Sequence, residues 1–125
     1  MIAGLGIDLI EVERVADKIG KEQGFRELVF SVREIAYCEA MANKYEHYAA
    51  RFAAKEAFFK ALGSGWKNGT AFNEIEIIGD TEGKPEVYLL GKTAETVAAM
   101  KLGKISVSLS HLKSMASAVI IIESL

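Results

Sequence analysis

The sequence has one cysteine, Cys38, and one proline, Pro85. A single cysteine cannot form a disulfide within the chain, which is typical of proteins from a reducing compartment. Only two histidines accompany it, which argues against a structural zinc site. No apolar run approaches the ~20 residues that span a bilayer, and the N-terminus lacks the basic leader of a signal peptide. We therefore expect a soluble, cytoplasmic protein with no membrane partner.

The chain also lacks an excess of positive charge, since its formal net charge is -2. Proteins that bind nucleic acids in general carry a strongly basic surface, so this balance argues against a nucleic-acid partner. One segment differs from the rest, because residues 44–67 contain five basic and two acidic side chains. A basic segment in an acidic protein favours a small anionic ligand.

Hydrophobic residues make up 50% of the 125 residues, which is enough for one core but leaves too short a chain for two domains. We expect one compact α+β domain over residues 1–125, with an N-terminal strand, several helices including a long buried central one, and then antiparallel hairpins. The predicted elements are strand Ile2–Ile10, helices Glu11–Ile19, Phe25–Phe30, Ser31–Met41 and Tyr45–Leu62, strands Phe72–Ile78 and Glu86–Leu90, helix Thr93–Leu102, and strands Ile105–Ser110 and Met115–Glu123.

Local signals support several of these boundaries. Gly20 suits a left-handed cap at the end of the first helix, and Ser31 followed by Glu34 has the spacing of a capping box. The helix Tyr45–Leu62 has apolar residues around most of its circumference, so it should be surrounded by protein. Gly63 should end it.

Two acidic residues stand in apolar surroundings. Asp8 shares one face of the first strand with Gly4 and Gly6, and Glu56 lies inside the long helix. Glycines in a strand often mark the close approach of a ligand or of another backbone. Because an unpaired buried carboxylate is costly, such acids are usually paired, hydrogen-bonded or bound to a cation. One shared divalent metal would satisfy both.

Each acid also has a structural explanation. Asp8 and Glu11 have the spacing of a helix capping box, so Asp8 is equally a candidate cap. Glu56 and Lys60 have the spacing of a favourable helix pair, worth ~0.2–0.5 kcal/mol when exposed. That gain is too small to offset the desolvation of two charges, which weakens the second explanation.

Two further features leave alternatives open. The glycine-rich loop after Gly63 lacks the sequence of a Walker phosphate loop, although its amides and Lys67 could hold phosphate oxygens. His111 lies where a strand enters a turn, a common place for a structural histidine, and is otherwise a candidate ligand contact.

Basic residues form a stripe along the first predicted helix, where Arg14, Lys18 and Lys21 share one face and Arg26 follows. Such a stripe is either an ordinary solvated face or a docking surface for an acidic helical partner.

Two segments together resemble a known family. Gly6-Ile7-Asp8 and the run from Arg51 to Gly63, which contains Lys55-Glu56-Ala57 and Lys60, look like the two signature motifs of the holo-acyl-carrier-protein synthases. These are the small 4′-phosphopantetheinyl transferases. The similarity extends to Phe30–Cys38, Gly83-Lys84-Pro85 and Ser108–His111, while Ser64 and Leu112 depart slightly from the family pattern.

The resemblance implies an enzyme that transfers 4′-phosphopantetheine from coenzyme A to a serine of apo-acyl carrier protein, a reaction of fatty acid biosynthesis. By similarity, Asp8 and Glu56 would bind Mg²⁺, Lys60 would stabilise charge during transfer, and either Glu56 or a metal-bound water would be the base. The implied coenzyme A contacts are Arg51, Lys60, Gly63, Lys84, Pro85 and His111, and the implied carrier-docking residues are Arg14, Lys18, Lys21 and Arg26. The resemblance also implies a homotrimer with active sites between subunits. The alternative is a non-catalytic coenzyme A or carrier-protein binding subunit.

Overall fold

The computed structural model describes residues 1–63 and 69–125, and it confirms an α+β fold with antiparallel strands. In chain order the elements are β1 (Ile2–Glu11), α1 (Val12–Lys21), α2 (Phe25–Val29), α3 (Val32–Glu39), α4 (Lys44–Leu62), β2 (Ile75–Gly79), β3 (Pro85–Leu89), α5 (Gly91–Ala98), β4 (Leu102–His111) and β5 (Met115–Ser124). Strand β5 lies between β1 and β4 in one antiparallel sheet, and β2 and β3 form a separate hairpin.

Helix α4 lies at the centre of the fold, as its apolar composition predicts. It packs against β1 and β5 on one side and against α3 and β2 on another. Tyr48 and Phe58 on α4 are buried, and so are Ile120 and Ile122 on β5. Within the described residues, no helix is long and apolar enough to cross a membrane.

Strand β1 approaches α4 backbone to backbone. A Cβ atom on Gly4 would overlap the carbonyl oxygen of Ala61, and one on Gly6 would overlap that of Ala57. The two glycines therefore make room for the helix backbone, which is one of the two explanations that the sequence left open. Because Asp8 follows on the same face of the strand, this contact carries its carboxylate to α4.

The edge of β2 that faces α4 is closed by charged side chains instead of another strand. Arg51 Nε donates to the Ile77 carbonyl (3.0 Å), and Lys55 Nζ donates to the Ile75 carbonyl (2.5 Å). Glu34 Oε2 accepts from the Ile77 amide (2.8 Å). These bonds satisfy polar groups that an open strand edge would leave unpaired.

Glu34 and Lys55 form a fully buried ion pair of 2.7 Å. The same carboxylate accepts from the Ser31 amide (2.9 Å), and Ser31 Oγ accepts from the Glu34 amide (3.2 Å), which confirms the predicted capping box. Burial lowers the pKa of Lys55, and the Glu34 charge opposes that shift. Removing one partner of such a pair typically costs about 3–5 kcal/mol, because the other charge is left buried and unpaired.

Three predicted boundaries were wrong. Helix α1 continues through Gly20 to Lys21, and the left-handed glycine is Gly24, with φ of 84°. The strand predicted to begin at Phe72 begins at Ile75, because Phe72–Glu74 form a short 3-10 helix. The Phe72 carbonyl accepts a hydrogen bond from Lys55 Nζ (2.8 Å). Helix α5 ends at Ala98, after which the chain turns through a left-handed Lys101.

The glycine contact gives a stability prediction. Gly6→Ala should lower the free energy of unfolding by about 1–3 kcal/mol, the usual cost of overpacking, because the new methyl group collides with backbone atoms that cannot rotate away. Chemical denaturation would measure it. Gly20→Ala is the matched control, since nothing lies within 4 Å of a Cβ at that position, and it should leave stability unchanged or raise it. Equal effects of the two substitutions would contradict the packing account.

Candidate active site

Asp8 lies within β1, paired with Ala118 of β5, and its side chain is mostly buried. Helix α1 begins only at Val12, and the residue before it, Glu11, makes no side-chain cap. The Val12 amide instead donates to the Ser114 carbonyl (2.9 Å). Asp8 therefore does not cap the helix, and the capping alternative was wrong.

Lys60 joins Asp8 to α4. Its ammonium donates to Asp8 Oδ1 (3.1 Å) and to the carbonyl oxygen of Ile7 (3.0 Å). Lys60 is exposed, so this ion pair alone contributes little stability. Its effect is positional, because it holds a cationic group beside the carboxylate on the strand.

Glu56 lies close enough to Asp8 for the two carboxylates to interact. Burial raises the pKa of Glu56, the negative charge of Asp8 raises it further, and Lys60 lowers it in part. Two carboxylates that repel each other in a half-buried place form a set of hard oxygen donors. The chemistry of this pair fits a divalent cation such as Mg²⁺.

The protein supplies few ligands for such a cation. Among the residues that the structure describes, no three His, Cys, Asp or Glu side chains gather where they could hold a metal ion. Mg²⁺ commonly takes one or two carboxylates and completes its coordination with phosphate oxygens and water. Asp8 and Glu56 are therefore suited to a metal that binds together with a phosphate-bearing substrate.

Four of the charged residues of α4 form two pairs with the i,i+4 spacing. Arg51 and Lys55 contact β2, whereas Glu56 and Lys60 lie beside β1. At 3.6 residues per turn, Arg51 and Lys60 project from opposite sides of the helix and lie ~13 Å apart along its axis. The second motif thus combines a pair that holds the fold with a pair that forms the site.

A separate cleft of about 480 Å³ lies on the Arg51 side of α4, between α3, the β2–β3 turn and the end of β4. Its volume is in the range of small-molecule sites. Its chemically distinctive lining residues are Tyr37, His47, Arg51, Asp80, Pro85 and His111. Three residues predicted to contact coenzyme A, namely Arg51, Pro85 and His111, are brought together here.

Aromatic rings form a row along this cleft. The Arg51 guanidinium lies 4.4 Å from the centre of the Tyr37 ring, and the Tyr37 and His47 rings are 5.6 Å apart. The His47 and His111 rings are 5.0 Å apart. Sequence reasoning missed Tyr37 and His47, although His47 stands four residues before Arg51 and so shares its helix face.

His111 has a structural bond, and it is also placed where a ligand contact is possible. Its Nδ1 lies 2.9 Å from Glu46 Oε1, and its ring also lines the cleft. Because a carboxylate only accepts hydrogen bonds, Nδ1 is the donor. The bond fixes the orientation of the ring, which is what a ligand-binding histidine needs.

Two predicted coenzyme A contacts lie elsewhere. Lys84 is exposed and lines a smaller groove of about 220 Å³ beside β4. Gly63 ends α4 in the left-handed conformation, with φ of 84°, three residues beyond Lys60. Lys67, the candidate phosphate contact of the glycine-rich loop, lies outside the described residues.

The basic stripe is partly compensated by neighbouring groups. Arg14 is exposed on α1, Lys18 Nζ lies 5.6 Å from the centre of the Phe25 ring, and Lys21 forms an exposed pair with an acid on α1. Arg26 instead bonds to carboxylates of α2 and α3, at 2.8 and 3.2 Å, so much of its charge is neutralised.

Comparisons with known proteins agree with the sequence motifs. Residues 4–116 match the family model of the 4′-phosphopantetheinyl transferase superfamily. The holo-[acyl-carrier-protein] synthase of Cytophaga hutchinsonii is 46% identical over 124 residues, with 97% of each chain covered. The protein of the same name from Ruminiclostridium cellulolyticum is 50% identical over 122 residues, covering 94% of this chain and 90% of the relative.

Solved structures give the same result. The crystal structure of holo-[acyl-carrier-protein] synthase from Neisseria meningitidis matches with a TM-score of 0.90 and 28% identity, over 99% of this chain and 100% of that one. The Bacillus anthracis structure, in complex with CoA (3′,5′-ADP), matches with a TM-score of 0.82 and 32% identity, over 100% of this chain and 99% of that one. The predicted resemblance is confirmed.

Proposed function

The chain belongs to the 4′-phosphopantetheinyl transferase superfamily, and on that premise we propose that it is a holo-acyl-carrier-protein synthase. It transfers the 4′-phosphopantetheine group of coenzyme A to a serine hydroxyl of apo-acyl carrier protein and releases adenosine 3′,5′-bisphosphate. The observation that carries the proposal is the placement of Asp8, Glu56 and Lys60 in one cluster where β1 meets α4. Residues 1–125 form the transferase domain.

The cluster suits phosphoryl transfer. In the reaction the serine oxygen forms a bond to the β-phosphorus, and the bond from that phosphorus to the bridging oxygen breaks. Negative charge then grows on the phosphate oxygens, where Lys60 is placed to stabilise it. Glu56, with its raised pKa, is a candidate acceptor of the serine proton.

Asp8 and Glu56 are the residues that would hold Mg²⁺. When bound, the metal would neutralise charge on the diphosphate of coenzyme A. The polypeptide orients the two carboxylates without it, through the strand that carries Asp8 and the helix that carries Glu56.

The cleft beside Arg51 would bind the nucleotide half of coenzyme A. The Arg51 guanidinium and the His111 ring can contact phosphate. Pro85 and the Tyr37 and His47 rings can contact the adenine base. Gly63 and Lys84 are further candidate contacts. The bound coenzyme A (3′,5′-ADP) of the Bacillus anthracis relative supports this class of ligand.

The two halves of this proposed site lie on opposite sides of α4 within one chain. A second chain would place its cleft beside the carboxylate pair of the first. The outer face of β1 offers a surface for such an assembly, because Leu5, Ile7 and Leu9 are apolar and 64%, 62% and 64% exposed. Together with the family resemblance, this favours a homotrimer in which neighbouring subunits share each site.

Carrier protein would dock on α1. Acyl carrier proteins are acidic and helical, so their charge complements Arg14, Lys18 and Lys21, while the paired Arg26 would contribute less.

The free, buried Cys38 is compatible with a reducing cytoplasm as the place of the reaction.

We expect direct incorporation of the prosthetic group. Incubating the protein with coenzyme A, Mg²⁺ and apo-carrier should add about 340 Da to the carrier in mass spectrometry, and Asp8→Asn or Glu56→Gln should lower kcat by about 10²–10⁴-fold. Glu95→Gln, on the exposed side of α5, is the charge-matched control and should retain activity. Coenzyme A binding without any transfer by the wild-type protein would instead favour a non-catalytic binding subunit.

Reversing one charge on α1 should weaken carrier recognition. Arg14→Glu is expected to raise KM for the carrier by about 3–10-fold with little change in kcat, and salt should reduce the difference because exposed charges are screened. Lys92→Glu on α5 is the control for net charge. If both variants raise KM equally, long-range charge is responsible and α1 is not the docking surface.

Sharing of sites between subunits can be tested by complementation. Asp8→Asn and His111→Ala should each be impaired alone at coenzyme A concentrations below KM, whereas co-expressed mixed oligomers should regain activity at about one site in four. The measurement is the specific activity of the co-purified mixture. Activity no higher than the mean of the two variants would place both residues in one subunit's site.

A further inference from the structure

The nucleotide cleft has little positive charge of its own. Among the lining residues that the structure describes, Arg51 is the one lysine or arginine, and Asp80 lines the same cleft with the opposite charge. Glu46 adds a second carboxylate directly behind His111. One arginine against two carboxylates gives the cleft no net positive charge to offer a phosphate dianion.

His47 is the lining residue placed to change that balance. Its ring lies between those of Tyr37 and His111. An imidazole ordinarily has a pKa near neutrality, so this ring can gain a proton when its surroundings change. Burial lowers the pKa of His47, and His111 and Arg51 lower it further, against the effect of Glu46. These surroundings therefore favour the neutral form of His47 while the cleft is empty.

A bound phosphate would reverse these conditions. An anion close to the His47 ring favours its charged form, and it offsets the repulsion from Arg51. The pKa of His47 would then rise on binding. By linkage, affinity must increase as the pH falls through the window between the pKa values of the empty and occupied states, and level off below it.

We propose that His47 is a nucleotide-recognition residue of the cleft, which takes up a proton when a phosphorylated adenosine binds and so makes binding of the nucleotide pH-dependent. This rests on the proposed function, because it assumes that the cleft receives the nucleotide half of coenzyme A. The proton uptake depends on the place of His47 in the cleft, beside His111, and requires no metal.

The groups that act on His47 come from every element packed around it. On α4 they are Glu46 and Arg51, on α3 Tyr37, and on β4 His111. Asp80, from the β2–β3 turn, lines the opposite part of the cleft, and the exposed Lys84 lies in the same turn. None of these side chains belongs to the Asp8–Glu56 pair, so metal binding and proton uptake can be measured separately.

The test is calorimetric titration of the wild-type protein with adenosine 3′,5′-bisphosphate, without metal, in buffers of different ionisation enthalpy. We expect the uptake of protons to approach one per nucleotide near pH 7. Above pH 7 the Kd should rise by up to about tenfold per pH unit, which is the limit for one linked proton. His47→Phe keeps an aromatic ring against Tyr37 and His111 but cannot bind a proton. It should lose most of the uptake and bind like the wild type at pH 8.

Two further variants make the comparison decisive. His47→Gln should behave like His47→Phe, and this separates loss of the proton from any packing defect. Tyr45→Phe changes an aromatic residue of the same helix that does not line the cleft, so it should keep full uptake. Titration of the phosphate itself cancels, because every protein binds the same ligand. Nucleotide binding with no proton uptake, or with uptake unchanged in both His47 variants, overturns this inference and leaves the proposed function intact. A failure of the wild type to bind the nucleotide at any pH counts against the proposed function itself.

Discussion

The close contact between β1 and α4 is the constraint on which the candidate site depends. With no side chains at Gly4 and Gly6, the strand rests on the carbonyl groups of the helix, and Asp8 arrives beside Glu56 and Lys60 without any loop to position it. Sites built on strands and helices hold their geometry better than sites on loops. The carboxylate pair is thus fixed by the packing of two rigid elements.

Helix α4 has two different tasks on its two sides. Arg51 and Lys55 close the edge of β2, and Glu56 and Lys60 form the site at β1. Lys55 and Glu56 are neighbours in the motif, yet Lys55 is fully buried against Glu34 and plays its part in stability. A motif read only as a catalytic signature would assign Lys55 to chemistry, but its ammonium is occupied by Glu34 and by the carbonyls of Phe72 and Ile75.

The sequence predicted the fold class, the order of the elements and the buried central helix, because hydrophobic periodicity and the capping residues Ser31 and Gly63 are local signals. It failed at Gly20, because the left-handed glycine is Gly24, and at the end of α5, where a left-handed Lys101 follows the helix. It also left Asp8 open between cap and ligand, because the spacing to Glu11 favours a cap while the apolar surroundings favour a ligand. Tyr37 could not be found, because it joins the cleft only when α3 packs on α4, whereas His47 was missed although it shares a helix face with Arg51.

The closure of β2 by side chains has a mechanical consequence for the cleft. Its far wall is the β2–β3 hairpin, and on the α4 side this hairpin is tethered through the Arg51, Lys55 and Glu34 side chains, not through a ladder of strand pairing. The placement of this wall therefore depends on three individual side chains. The carboxylate pair, near the opposite side of the same helix, depends instead on the backbone contact between β1 and α4.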